Sequence, residues 1–196
     1  MSHMALAVIG VHKSFGSVEV LRGVDFQVKQ NELLSLIGPN GAGKTTLFNI
    51  ICGLLPPDRG SLVLDDINVE REPAYRRARL GIGRTFQLPR LCPHLNTLEN
   101  VMVGAFHRDR NAVAAERGAM DWLCRLGLGD LVMSDIGRLT LLQRKLTEIA
   151  RAMIGEPALL LLDEVMAGLT PAELERTIKV INDIRAAGTT ILLIEH

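Results

Sequence analysis

The period of the apolar positions changes several times along this chain, and each change marks an element. From Leu6 to Phe15 and from Val18 to Val28, β-branched and apolar residues dominate, and Gly16-Ser17 separates them, which predicts a β-hairpin. Gln30-Asn31 leads into a short apolar run, Leu33 to Ile37, read as a strand. A Gly-rich stretch follows, and Leu47 to Leu55 then continues with helical spacing. Pro56-Pro57-Asp58-Arg59-Gly60 is a breaker. Beyond it, Ser61 to Leu64 reads as a short strand and Asp65-Asp66 as a turn. Pro73 to Leu80 reads as a short helix whose Arg76, Arg77 and Arg79 form an exposed, solvated face. Arg84-Thr85-Phe86 closes another short strand, with Gln87 after it.

From Leu88 to Gly155 the pattern is helical. Asn96-x-x-Glu99 fits a capping box, and Leu98, Val101, Met102 and Ala105 follow at i, i+3, i+4, i+7. A second helix is predicted from Ala112 to Leu126, before Gly127. A third runs from Leu141 to Ile154, with Leu142, Leu146, Ile149 and Met153 on one face. Ala158 to Leu162 is wholly apolar, as buried parallel strands are. Thr170-Pro171-Ala172-Glu173 then starts a helix with a Thr cap, Pro at the first position and Glu three residues after the cap. Its expected buried stripe is Leu174, Ile178, Ile181 and Ile184. Gly188 ends it, and Thr189 to Ile194 is a last buried strand. Strands alternating with helices imply a parallel sheet with right-handed crossovers. The predicted fold is α/β: a parallel sheet flanked by helices, with an N-terminal antiparallel β subdomain and an inserted helical subdomain. The expected boundaries are 5–87, 88–155 and 156–196. Met1-Ser2-His3-Met4 reads as a cloning scar and is set aside.

Composition narrows this picture. The 196 residues are 47% apolar, enough for a hydrophobic core and against disorder. Lys plus Arg and Asp plus Glu are balanced at 22 each, and aromatics are 4%. No basic field or stacking surface points to nucleic acid. No apolar run has the length of a membrane span, and no signal-peptide pattern is visible. Cys52, Cys92 and Cys124 are isolated, suit a reducing compartment and read as small buried hydrophobes.

The chemistry sits between strand and helix. Gly38-Pro39-Asn40-Gly41-Ala42-Gly43-Lys44-Thr45 matches G-x-x-x-x-G-K-[ST] without a mismatch, and Thr46 follows. Glycines let the backbone approach a polyphosphate and point N–H groups at it, and the following helix adds its positive end. Lys44 can reach the β- and γ-phosphates, and the Thr45 hydroxyl can ligate Mg²⁺. A nucleoside triphosphate is therefore the expected ligand. Leu159 to Leu162 ends in Asp163-Glu164, which places two carboxylates at the sheet's C-terminal edge. Asp163 can hold Mg²⁺ or its water, and Glu164 can polarise a water for in-line attack. The Gln87 amide could reach the metal or that water, and His196 the γ-phosphate. Four strand ends would thus converge on one edge of the sheet.

The order of these parts resembles the ATP-binding subunit of an ABC transporter, over nearly the whole chain from Leu6. Gly81-Ile82-Gly83-Arg84-Thr85-Phe86-Gln87, Leu98-Glu99-Asn100-Val101 and Ala167-Gly168-Leu169 are similar to the branch serving branched-chain amino acid uptake. The resemblance implies an ATPase using ATP and Mg²⁺, with Glu164 as base and Phe15 stacked on adenine. It implies integral-membrane permease subunits, a second ATP-binding subunit and, indirectly, an external solute-binding protein as partners. It also implies a peripheral place on the cytoplasmic face of a prokaryotic inner membrane. Three departures stand out. The family's Leu-Ser-Gly-Gly-Gln, which closes over the partner's nucleotide, is here Leu139-Thr140-Leu141-Leu142-Gln143. Two leucines are expected to add bulk to that approach, which favours a heterodimer with unequal sites. Thr170 stands where Asp is usual, and Val165 where Pro is usual. Family members also continue past His196, so truncation is expected, with the last strand near an unfinished sheet edge. The competing reading is a nucleotide-binding interaction module with little hydrolysis.

Overall fold

A computed structural model describes residues 3–106 and 111–195. Two sheets form the framework. The first is antiparallel, in the order β2-β1-β4-β5, from β1 (Met4–Phe15), β2 (Val18–Lys29), β4 (Arg59–Leu64) and β5 (Ile67–Asn68). The predicted hairpin is there, turning at Gly16-Ser17. Arg59 and Gly60, read as breaker residues, instead begin β4. The short β5 was not predicted, although the Asp65-Asp66 turn that reaches it was; both residues have positive φ.

The second sheet is parallel, in the order β3-β8-β7-β6, from β3 (Leu33–Ile37), β6 (Ile82–Arg84), β7 (Leu159–Asp163) and β8 (Thr190–Glu195). The last strand therefore lies between β3 and β7, one place in from the edge at β3, and β6 is the other edge among the described residues. β8 pairs along its length with both neighbours, Leu33–Ile37 on one side and Leu159–Asp163 on the other.

Strand periodicity separates the two sides of this sheet. Leu159, Leu161, Leu192 and Ile194 enter a core shared with the antiparallel sheet and with α1 (Lys44–Ile51), through Leu47, Phe48, Ile50 and Ile51. Leu160, Leu162, Ile191 and Leu193 face the opposite way. They pack with Ile181 and Ile184 of α6 (Pro171–Ala186) and with the helical segment. That segment comprises α3 (Thr97–Met102), α4 (Ala112–Arg125) and α5 (Leu141–Met153). Leu142, Leu146, Ile149 and Met153 are buried as the spacing predicted, in a core continuous with the sheet.

Local signals account for the helix starts. Asn96, Thr140 and Thr170 each form a complete capping box, and Asn111 caps α4 through its side chain. The expected stripe of α6 needs one change: Ile178 is exposed and Thr177 is buried in its place, its hydroxyl donating to the Glu173 carbonyl. Cys52 is buried, whereas Cys92 and Cys124 are exposed.

Arg77, expected in solvent on α2 (Ala74–Arg79), is 1% exposed. Its guanidinium donates from Nη1 to the carbonyls of Ile50 (2.5 Å) and Ile51 (2.9 Å) and from Nε to that of Glu72 (2.7 Å). It thus satisfies carbonyls at the C-terminus of α1, where the helix dipole also favours a cation.

Candidate nucleotide site

The parallel sheet sends the ends of β3, β6 and β7 to one edge, and the candidate residues gather there. After β3 the chain turns through Gly38 to Gly43 into α1. Gly43 is the N-cap at φ 86°, a conformation that disfavours side chains. A Cβ at this position would lie 2.8 Å from Leu21 Cδ2. Glycine here is thus required both by the turn and by the close approach of β2. Lys44 Nζ donates to the carbonyls of Gly38 (2.5 Å) and Pro39 (3.1 Å), so the ammonium lies over the loop. A cavity of about 330 Å³ is lined by Asn40, Gly41, Ala42, Gly43, Lys44, Thr45 and Thr46, together with Glu164 and Phe15. Phe15 is 48% exposed at the end of β1, so a ring face is open to a ligand there.

At the end of β7 the two carboxylates differ. Asp163 is buried, and its Oδ2 accepts from Arg84 Nη2 at 3.0 Å. Its own N–H donates to Thr85 Oγ1 at 3.2 Å. Glu164 is buried too and has φ 49°, an unusual backbone conformation for a non-glycine residue. Its Oε2 accepts from Gln87 Nε2 at 2.6 Å. The Gln87 amide, 77 residues away in sequence, is thus brought onto the carboxylate expected to activate water. Thr45, Gln87 and Asp163 line a second cavity of about 480 Å³ that adjoins the loop. Their hydroxyl, amide and carboxylate oxygens suit Mg²⁺, a hard cation that commonly takes few protein ligands together with substrate phosphate oxygens. Among the described residues there is no cluster of three or more His, Cys, Asp and Glu that could hold another type of metal. His196 lies outside the described residues.

The altered pentapeptide opens α5. Thr140 is its N-cap, accepting from the Gln143 N–H at 3.3 Å, while Gln143 Oε1 accepts from the Thr140 N–H at 2.8 Å. Leu139 is buried. The two leucines that follow part company: Leu142 is 6% exposed and points into the core, and Leu141 is 42% exposed. Only Leu141 therefore brings side-chain bulk to the surface. The helical period decides this, because Leu142 belongs to the stripe with Leu146 and Ile149.

Three polar residues at this site escaped the sequence reading. Arg84 bridges Asp163 and Asn49 Oδ1 (2.7 Å) and lies 4.8 Å from the centre of the Phe86 ring. Lys145, on α5, is buried and donates to the carbonyls of Glu164 (2.9 Å) and Ala167 (2.7 Å). Desolvation pulls its pKa below the ordinary lysine value. Glu148, one turn further, accepts from the N–H groups of Phe86 (3.1 Å) and Arg90 (2.9 Å). Burial raises its pKa above the usual carboxylate value. The one available signal was the placing of Lys145 beside the apolar stripe of α5; Glu148 lies well away from that stripe and gave none.

A parallel sheet, a phosphate-type loop opening a helix after β3, and a carboxylate pair at the end of β7, one strand removed from β3, define an ATPase cassette. A family model described as ABC transporter matches residues 21–167, and the chain belongs to that family. It is 37% identical to the high-affinity branched-chain amino acid transport ATP-binding protein LivG of Salmonella typhimurium, over 100% of this chain and 83% of that protein. Among solved structures, a nucleotide-free ATP-binding cassette from an ABC transporter superposes with a TM-score of 0.90. It is 29% identical, over 98% of this chain and 81% of that one. A dimeric cassette in a post-hydrolysis state, bound to ADP and Pi, superposes with a TM-score of 0.88. It is 26% identical, over 97% of this chain and 88% of that one. The chain is accordingly an ABC-type ATPase.

Proposed function

We propose that this chain is the ATP-binding and ATP-hydrolysing subunit that energises a membrane importer for branched-chain or other hydrophobic amino acids. The observation that carries the hydrolytic part is the meeting of Lys44, Asp163, Glu164 and Gln87 at one sheet edge, with Gln87 hydrogen-bonded to Glu164. The solute class rests on the likeness to LivG.

In this reading the loop N–H groups of Gly41 to Thr45 and the Lys44 ammonium hold the β- and γ-phosphates. Phe15 offers its ring to the adenine. Glu164 takes the proton of the attacking water, and Gln87 orients that water against the carboxylate. Mg²⁺ bound by Thr45 and Asp163, with Gln87 in reach, would neutralise phosphate charge. No helix among the described residues is long and apolar enough to cross a membrane. In this reading the force is delivered to separate permease subunits, through the surface around Gln87 and the helices of 88–155. A peripheral position on the cytoplasmic face of a prokaryotic inner membrane follows from that arrangement, and an external solute-binding protein takes part only indirectly.

The site is completed by a second ATP-binding subunit, and exposed Leu141 favours a heterodimer. Leu141 faces the partner's nucleotide, while this chain's own loop works with a partner that keeps its glycines. If both subunits carried Leu141, the chain would act instead as a nucleotide-binding module with little hydrolysis. Phosphate release, measured for the chain alone and with candidate partner subunits, separates these readings. Lys44→Ala should lose ATP binding. Glu164→Gln should bind ATP and turn it over at least a hundredfold more slowly, a loss of about 2.7 kcal/mol in transition-state stabilisation. Retained turnover in Glu164→Gln would move the role of base to another residue.

A further inference from the structure

Helix α5 does more than present the pentapeptide at its N-terminus. Three of its polar side chains reach the two loops that carry Gln87 and Glu164. Glu148, 1% exposed, accepts from the Phe86 N–H through Oε2 and from the Arg90 N–H through Oε1. Arg151, one turn on, donates to Glu148 Oε1 at 2.9 Å and to the Arg90 carbonyl at 2.6 Å. The backbone of Arg90 is thus gripped on both its N–H and its C=O, and Phe86 on its N–H. Gln87 lies between these grips. Within the gripped segment the Phe86 ring meets two guanidinium groups, 4.8 Å from Arg84 and 4.6 Å from Arg90. On the other side of the site, Lys145 ties the carbonyls of Glu164 and Ala167 to the same helix. Leu141 touches that loop as well: its Cδ2 would lie 3.2 Å from a Cβ placed on Gly168.

We propose that Glu148 is a positioning residue: with Arg151 it fixes the 86–90 backbone to α5, and so sets Gln87 against Glu164. A carboxylate with two oxygens, each receiving a main-chain N–H, holds a segment in both place and orientation. A charge this buried persists only where its acceptor capacity is used, and here Arg151 completes the set. Because Thr140 caps the same helix, a displacement of α5 by the second subunit would reach Gln87 through Glu148 and Glu164 through Lys145. The Gln87–Glu164 contact is thus governed by the helix that also carries the cross-subunit motif.

This inference rests on the assignment of Gln87 and Glu164 to hydrolysis. Its test uses the full-length chain with Glu148→Gln, which keeps the side-chain size but turns one acceptor into a donor. Amide hydrogen exchange in the peptide covering 84–92 should accelerate at least tenfold, with α6 unchanged. ATP turnover should fall about tenfold in kcat with KM for ATP unaltered, because the Gly38–Thr46 loop is untouched. Arg151→Met leaves Glu148 in place and should give a smaller change of the same kind, which covers the case in which Glu148→Gln folds poorly. Unchanged exchange at 84–92 in the folded variants would overturn the grip. Faster exchange with unchanged kcat, or a loss confined to KM, would overturn the positioning role. A wild-type chain without turnover even in the presence of its partner subunit would refute the hydrolytic reading itself, and the exchange arm would still decide whether Glu148 holds the segment.

Discussion

Replacing Arg77 by Met should destabilise this protein markedly, although no ligand or catalytic group is touched. The last turn of α1 ends in a Schellman arrangement: Gly53 N–H bonds to the Ile50 carbonyl and Leu54 N–H to that of Asn49, with Gly53 at φ 77°. The carbonyls of Ile50 and Ile51 also receive Arg77 Nη1, and that of Glu72 receives Nε. Hydrogen bonds from a charged donor contribute about 1.5–3 kcal/mol each, so three of them set a gross range of roughly 4.5–9 kcal/mol. Two effects reduce it. Burial of the guanidinium is itself unfavourable, and this lowers the pKa of Arg77. The cavity of about 490 Å³ beside Arg77 would also let water reach some of the freed carbonyls. A net loss of about 3 kcal/mol is expected, equivalent to a fall of roughly 6–12 °C in Tm for a domain of this size. Arg77→Lys keeps the charge but not the fork and should fall between the two. Thermal unfolding followed by circular dichroism, with nucleotide absent, measures both variants. A Tm for Arg77→Met within 2 °C of wild type would refute the view that Arg77 caps the nucleotide-loop helix.

Three further outcomes are expected. Burial raises the pKa of the Cys52 thiol to about 11, so maleimide should label Cys92 and Cys124 in the native protein and a third thiol only in denaturant, as counted by mass spectrometry. Gly43→Ala should cost about 1–3 kcal/mol in backbone strain besides its clash with Leu21, and should weaken ATP binding at least tenfold by calorimetry. The Asp58 carboxyl is held below its ordinary pKa of 3.8, by Lys13 at 2.7 Å first and then by the Ser14 N–H. That depressed value makes its stabilisation fully present above about pH 4, and it is lost as pH falls through the folded pKa. The Tm difference between wild type and Asp58→Asn should therefore shrink from pH 5 to pH 2, and a difference constant with pH would discount this contact.

The elements were legible because their signals are local. Each capping box spans four residues, and the unbroken apolar run in Leu159 to Leu162 needs no partner to be seen. The nucleotide loop was legible for the same reason, since its glycines, Lys44 and Thr45 act together within one turn. The polar interior was less accessible. Arg77 looks like its neighbours Arg76 and Arg79, and only the position of α1 turns one of the three inward. Cys92 and Cys124 looked like Cys52, yet only Cys52 meets the core.

By itself the sequence determined the main strands and helices (though not β5), their order, and a loop able to hold a triphosphate, because each depends on contacts within a few residues. Tertiary structure alone decided that Gln87 meets Glu164, that Arg84 meets Asp163, and that α5 grips both loops through Lys145 and Glu148. These partners are 19 to 79 residues apart, and a buried charge takes its meaning from the groups that complete it, which the pairing of the parallel strands brings together.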